Sequence, residues 1–396
     1  MNLKFALILL TLVSVVADTM LLPFYPQFFS QAFGITSPEH VGYYIAACCF
    51  TVMTAFPLWA KLAKKVNELH LWVYTQIAAA ILGVVCFYTT DLIMFWVVSQ
   101  IMLIFKASYL LIYPFVLRLE EKDKHLGMIG LFSVLMHFGA IGGALVGGLV
   151  LQVFAPQDVY LIMAASDILQ VIVCLYIINR LNVPFAAEVD PVSRDVKIKR
   201  PIGFVYKLSV ISALFYFSAF MIRPFFSSYW EVISHIDSEI IAGLVYSIPG
   251  GVALFALWIN HRAKKEHDNF KMICAAFTLG IAGLLLQGSQ EMWTVILGRL
   301  IFGWAIFQIT VRLEVMLFKM SEPSAYAMDF SKMHFFQNLG VIAASFSVGA
   351  LVSRTDFQMS FFVSSMGFAL TLLLFFYLFK AQAKQDLQNE LAIEKS

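Results

Sequence analysis

Twelve long apolar runs separated by short polar connections set the pattern of the chain. They cover 5–29, 41–60, 71–89, 92–117, 126–154, 159–178, 204–230, 240–260, 270–288, 292–318, 330–352 and 357–379. Crossing the hydrocarbon of a bilayer takes about 20 mostly apolar residues in an α-helix. Runs such as Leu7-Ile8-Leu9-Leu10 and Leu372-Leu373-Leu374-Phe375-Phe376 lack the polar/apolar alternation of a barrel strand. Pro and Gly inside the runs are compatible with helices, because neighbouring helices satisfy the freed backbone groups. The pattern predicts an all-α integral membrane protein with twelve spans.

The polar connections differ in charge. Alternate ones carry Lys61, Lys64 and Lys65; Arg118, Lys122 and Lys124; Arg180, Arg194, Lys197, Lys199, Arg200 and Lys207; Arg262, Lys264, Lys265 and Lys271; and Lys319 and Lys332. The opposite set holds Arg354 among acids such as Glu39, Asp91, Asp158, Asp237, Glu239 and Glu291. Basic loops stay in the cytoplasm, so both termini are expected there, in a cytoplasmic (inner) membrane. The first run is expected to be kept rather than cleaved as a signal peptide: losing it would leave eleven spans and reverse the charge asymmetry.

Composition narrows the class. The 396 residues are 60% hydrophobic and 13% charged, far from a soluble domain. A net charge of +2 gives no reason to expect a nucleic-acid partner. The five cysteines all lie in apolar runs and read as small buried hydrophobes, so no disulfide or metal site is expected. No P-loop and no H-E-x-x-H motif occurs, which argues against a pump driven by ATP hydrolysis and against a zinc hydrolase.

The longest internal polar segment divides the spans six and six. The expected organisation is a six-helix bundle over 1–180, a cytoplasmic linker over 181–203, a second bundle over 204–380 and a cytoplasmic tail over 381–396. The halves echo one another at an offset of 201 residues. Leu22-Pro23-Phe24-Tyr25 aligns with Arg223-Pro224-Phe225-Phe226, Gly42 with Gly243, Gly139 with Gly340, and Gly148 with Gly349. Parallel six-span repeats are an architecture of secondary transporters.

Span five reads Gly139-Ala-Ile-Gly-Gly143-Ala144-Leu-Val-Gly147-Gly148. It resembles the antiporter motif gxxxGPxxGG of the major facilitator superfamily, with Ala144 at the Pro position. Ala60-Lys-Leu-Ala-Lys64-Lys65-Val-Asn67 occupies the place of that family's GxLaDRxGR loop, with Ala60, Lys64 and Asn67 replacing its first Gly, its Asp and its second Gly. Gln100 stands near the family's span-four Arg, and Pro23 and Pro26 give span one a family-like P-x-x-P. The resemblance implies the major facilitator fold and a central cavity lined by spans one, four, seven and ten. It also implies that the glycine stripe packs between the halves and that the Lys64/Lys65 loop latches cytoplasmic helix ends. Small-residue packing and plain loop topology are the simpler readings of those two motifs.

Ionisable groups inside spans are costly and mark candidate sites. They are Asp18, Lys106, Asp167, Arg223, Arg299, Arg312 and Glu314. At about 1.5 Å per residue, Asp18 and Lys106 lie at similar depth and are placed to pair. Helical spacing groups Thr11, Ser14, Asp18 and Tyr25; Ser99, Lys106 and Tyr113; and Ser212, Tyr216, Arg223, Ser227 and Trp230. It gives span ten two polar faces, Gln308/Arg312 and Thr310/Glu314. Proton-coupling candidates are Asp18, Glu314 and His137; a fixed ion pair is the competing role for Asp18, and a packed polar contact for His137. Substrate-binding candidates are Lys106, Arg223, Tyr25, Tyr113, Tyr216, Gln308 and Arg312, the cations suiting an anionic group. Asp167, in span six, is expected to be structural.

Gradient-driven transport follows as the expected function, with a proton gradient as energy source and no cofactor. The resemblance favours antiport and efflux of a small organic molecule, such as a drug or a siderophore-like metabolite. Proton symport of an organic anion, or a receptor on the same fold, are the alternatives. The expected partners are a small-molecule substrate and the lipid bilayer, with the protein working as a monomer.

Overall fold

The computed structural model describes residues 3–112, 115, 125–186, 202–262, 269–321 and 326–393. These form fourteen α-helices: α1 Leu3–Thr19, α2 Tyr25–Phe33, α3 Pro38–Leu62, α4 Glu68–Tyr88, α5 Leu92–Lys106, α6 His125–Val153, α7 Asp158–Leu181, α8 Ile202–Phe220, α9 Phe226–Ser234, α10 Glu239–Arg262, α11 Asn269–Gln287, α12 Met292–Met320, α13 Tyr326–Arg354 and α14 Phe357–Ile393. Ten of these, and α5 together with the 3-10 turn that continues it to Leu111, are long and apolar enough to cross a membrane, and Ile8–Thr19 supplies a shorter apolar helix.

The missing length in the first span has a physical cause. The run 5–29 is not one helix: it breaks over Met20–Phe24, where Leu22 N–H donates to Thr19 O at 3.2 Å and Phe24 N–H to Leu21 O at 2.9 Å. Pro23 lies inside this turn, and Pro26 falls in the first turn of α2, where its missing N–H costs nothing. The run 204–230 breaks the same way over Met221–Phe225, around Pro224. Polar stripes drawn through these runs as continuous helices therefore end at the breaks.

The offset of 201 holds along the chain. It carries α2 (25–33) onto α9 (226–234) and α6 (125–153) onto α13 (326–354), end for end. It also carries Gly34, the left-handed residue (φ 68°) that closes α2, onto His235 (φ 54°), which closes α9. A left-handed turn is costly for a residue with a Cβ, so its repetition at His235 means that the backbone, not the side chain, is common to the repeats.

By contact the chain resolves into two compact units. One comprises Met1–Lys199 with Arg223–Gly251, the other Arg200–Ile222 with Val252–Ser396. In the first, α1 packs on α6 and α7, while α4 packs on α5 and α7. Side chains cap three of its helices: Ser37 accepts from His40 N–H, Asn67 from Leu69 N–H and Asp91 from Met94 N–H. Asn67, met in the loop resembling the family's motif, thus acts as the start of α4, and Lys64 and Lys65 beside it are exposed. In the second unit α8 packs on α13 and α14, and α11 on α12 and α14. Phe215, Phe277, Phe302 and Phe368 form its aromatic centre, with ring centroids 5.6–5.9 Å apart.

The glycine stripe of α6 faces its own unit. A Cβ on Gly139 would strike the Val15 side chain, on Gly143 Thr19 Oγ1, and on Gly147 the Met20 carbonyl, so the stripe seats α1 against α6. The expectation that it packs between halves is corrected to this extent: the neighbouring stripe, Ala144 and Gly148, is the one that meets α10. A Cβ on Gly148 would lie 2.5 Å from Glu239 O, and one on Gly243 2.5 Å from Ala144 O. The two stripes are about 100° apart on one helix, which is why α6 touches two partners closely. Gly147→Val should therefore cost about 1–3 kcal/mol by forcing α1 from α6. Gly251→Ala, with no atom within 4 Å of its added Cβ, should leave the thermal unfolding midpoint in detergent unchanged or slightly raised.

Candidate functional site

Three charged side chains meet inside the first unit. Lys106 Nζ lies 3.1 Å from Asp18 Oδ1 and 2.7 Å from Asp167 Oδ1. Local structure explains how the lysine is delivered. α5 ends at Lys106, and Ala107–Leu111 tighten into a 3-10 turn. That turn is pinned by α4: Trp72 Nε1–H donates to Ser108 O at 2.9 Å, and the Thr75 and Ser108 hydroxyls are 2.7 Å apart. An ammonium in the last turn of a helix sits favourably at the negative end of its dipole. Asp18, in the last turn of α1, sits unfavourably there, and Lys106 offsets that cost. Ser14, one turn earlier, reaches its other oxygen at 3.4 Å.

The two acids differ in access. The Asp18 side chain is 21% exposed, against 5% for Lys106 and 1% for Asp167. Asp167 Oδ2 is buried with no hydrogen-bond partner among the described residues. Beside the triad, where α1, α4 and α7 face the 3-10 segment, lies a small cavity of about 10 Å³ lined by Thr11, Ser14, Tyr109 and Gln170 together with the apolar Leu10, Trp72, Ile112 and Cys174. Ser14, which bonds Asp18, and Thr11 both line this cavity. Tyr25 lies beyond the helix break, where its ring packs on Phe29 and Tyr44.

The remaining candidates fall elsewhere. Arg223 is half-buried in the turn joining α8 to α9, and Tyr216 is half-buried in α8 against Phe215. Ser212, Ser227 and Trp230 are buried, with Oγ or Nε1 atoms unsatisfied among the described residues. Glu314 is half-buried on α12, with no ion pair or hydrogen bond recorded among the described residues. Tyr113 lies outside the described residues, as does the side chain of His137. Arg299 bonds Gln287 of α11 at 3.4 Å.

A second polar cluster lies in the second unit. Arg312 donates through Nε to Gln308 Oε1 at 3.2 Å and through Nη1 to Asn269 Oδ1 at 2.9 Å. Gln308 and Asn260 exchange hydrogen bonds of 3.2 and 3.4 Å. The cluster ties the end of α10 and the start of α11 to α12.

Asp167, expected from the sequence to be structural, makes the shorter bond to Lys106, a partner that the sequence left unnamed. The signal that finds it is the repeat itself. At the same offset, Asp18, Lys106 and Asp167 correspond to Ala219, Phe307 and Phe368, all buried and apolar.

The sequence profile described as Major Facilitator Superfamily matches residues 7–286. The chain belongs to that superfamily. It is a multi-pass membrane protein of a transporter family, not an enzyme. It is 20% identical over 358 residues, 88% of each protein, to the multi-drug resistance efflux pump PmrA of Streptococcus pneumoniae. Its fold is similar to that of the nucleoside transporter NupG (16% identity, 96% of this chain and 100% of that one, TM-score 0.70). It is likewise similar to the human organic anion transporter MFSD10 (15% identity, 94% and 98%, TM-score 0.69).

Breaking one partner of a buried ion pair strands the other. Lys106→Met, which leaves two carboxylates facing each other, should cost about 3–5 kcal/mol of stability. Combining it with Asp18→Asn and Asp167→Asn should recover much of the loss. Thermal unfolding of the single, double and triple variants measures this non-additivity.

Proposed function

We propose that this chain is a proton-coupled exporter of a small organic molecule, with Asp18 as the group that takes up and releases the proton. The observation that carries the reading is the ionic triad, buried in one repeat at positions where the other repeat packs apolar side chains. The fold's second copy fills those places with Ala219, Phe307 and Phe368, so the architecture itself makes no demand for charge there. Replacing a buried ion pair by well-packed apolar groups is often neutral or stabilising, and charges retained against that option point to chemistry.

The arrangement suits proton exchange for a stated reason. With both acids ionised the triad carries one net negative charge. When Asp18 accepts a proton the net charge falls to zero, and Lys106 keeps Asp167 as counter-ion at 2.7 Å. Neither state leaves the ammonium alone in a low-dielectric interior, where an uncompensated ion costs several kcal/mol. Asp18 is the more exposed acid and is bonded to Ser14, which lines the small cavity, so it is the acid more open to water. Asp167 holds the lysine in place throughout.

Export is supported by similarity to a multidrug efflux pump, and the basic loops support a cytoplasmic membrane with both termini inside. The energy source in this reading is the proton gradient, no cofactor takes part, and one chain suffices. A drug or a siderophore-like metabolite is the kind of cargo it accommodates.

Everted vesicles with an acidic interior test the reading. They should accumulate a transported dye only when the chain is present, and collapse of the pH gradient should release it. Asp18→Asn should abolish gradient-driven accumulation while sparing dye exchange at equal pH. Gradient-driven accumulation by Asp18→Asn at the unaltered rate would overturn the coupling role. Accumulation confined to right-side-out vesicles would replace export by import.

A further inference from the structure

Arg312 differs from the buried Lys106 in having no acid partner among the described residues. Both of its recorded acceptors, Gln308 Oε1 and Asn269 Oδ1, are neutral amide oxygens, and no carboxylate among the described residues lies within ion-pair distance. The residue is 9% exposed. A guanidinium carries five N–H donors, and two are committed here. The amide oxygens satisfy donors but cannot cancel charge. The full positive charge is therefore held in a fixed orientation, braced by the Gln308–Asn260 pair.

The repeat again serves as an internal control. At the offset of 201, Asn260, Gln308 and Arg312 correspond to Trp59, Ala107 and Leu111. Leu111 is buried, and Trp59 packs against the same apolar cluster. At these three positions the first repeat places apolar side chains, so the helix pairing itself does not require a cation there.

We propose that Arg312, oriented by Gln308 and Asn269, binds the carboxylate of a small organic anion, and that this makes organic anions the substrate class. The assignment rests on the transporter reading above but not on the proton step. Guanidinium suits a carboxylate because two parallel N–H groups match its two oxygens, and a single cation discriminates the anion from its uncharged isostere. Gln308 and Asn269 are positioning residues that fix the plane of the guanidinium.

Equilibrium binding to purified full-length protein in detergent, with no gradient, tests this apart from coupling. Radiolabelled benzoate and benzamide have the same size and differ in charge. Benzoate should bind saturably and benzamide should not. Arg312→Gln should weaken benzoate binding roughly ten- to hundredfold, the range expected for losing a charge-assisted contact. Arg312→Lys should restore part of it, and Asp18→Asn should leave it unchanged. Thermal unfolding of Arg312→Gln within a few degrees of the unaltered protein excludes misfolding; if that variant does not fold, Asn269→Leu, which keeps the charge but frees the fork, should lower benzoate affinity while sparing the fold. Absence of benzoate binding by the unaltered protein, equal binding of benzamide, or displacement of benzoate only by anionic lipid would overturn the proposal.

Discussion

An ammonium group enclosed in a helical bundle persists only if counter-charge travels with it. Here Lys106 is 5% exposed at its side chain and touches two carboxylates on two other helices. That requirement ties the ends of α1 and α5 to the middle of α7. It also gives the 3-10 turn after Lys106 a purpose: the tighter turn, held by Trp72 and Thr75 of α4, fixes where the lysine emerges. The backbone around the triad is thus set by electrostatics as much as by apolar packing.

The internal repeat separates what the architecture needs from what the chemistry needs. Helix ends, proline turns and left-handed caps recur at one offset and belong to the fold. Charge does not recur. The first repeat keeps Asp18, Lys106 and Asp167 where the second has Ala219, Phe307 and Phe368, and the second keeps Arg312 where the first has Leu111. A single scaffold, used twice, carries an ionic triad in one copy and, in the other, an arginine whose partners among the described residues are neutral amides.

Much of this was legible in the sequence. Span count, helical class and the offset came from hydropathy and a few Gly and Pro positions, because a bilayer admits few alternatives. The Asp18–Lys106 pair followed from equal depth, since rise per residue is fixed. The helix breaks at Met20–Phe24 and Met221–Phe225 were not legible, because Pro is tolerated in membrane helices and hydropathy does not register a turn. The break takes Tyr25 off the helical face that carries Asp18. The neighbour of the glycine stripe was also hidden: small residues announce close approach, but not which helix approaches. Asp167 escaped because a lone acid on an apolar helix has no partner until the fold supplies one.

The unequal exposure of the two acids has a consequence for direction. Among the described residues Asp167 is almost wholly buried, and Asp18 is the member of the triad most open to its surroundings. One doorway cannot serve two compartments at the same moment. If a proton passes through this triad, the three residues alone do not set its destination; that falls to whichever helices decide which aqueous phase the doorway opens onto.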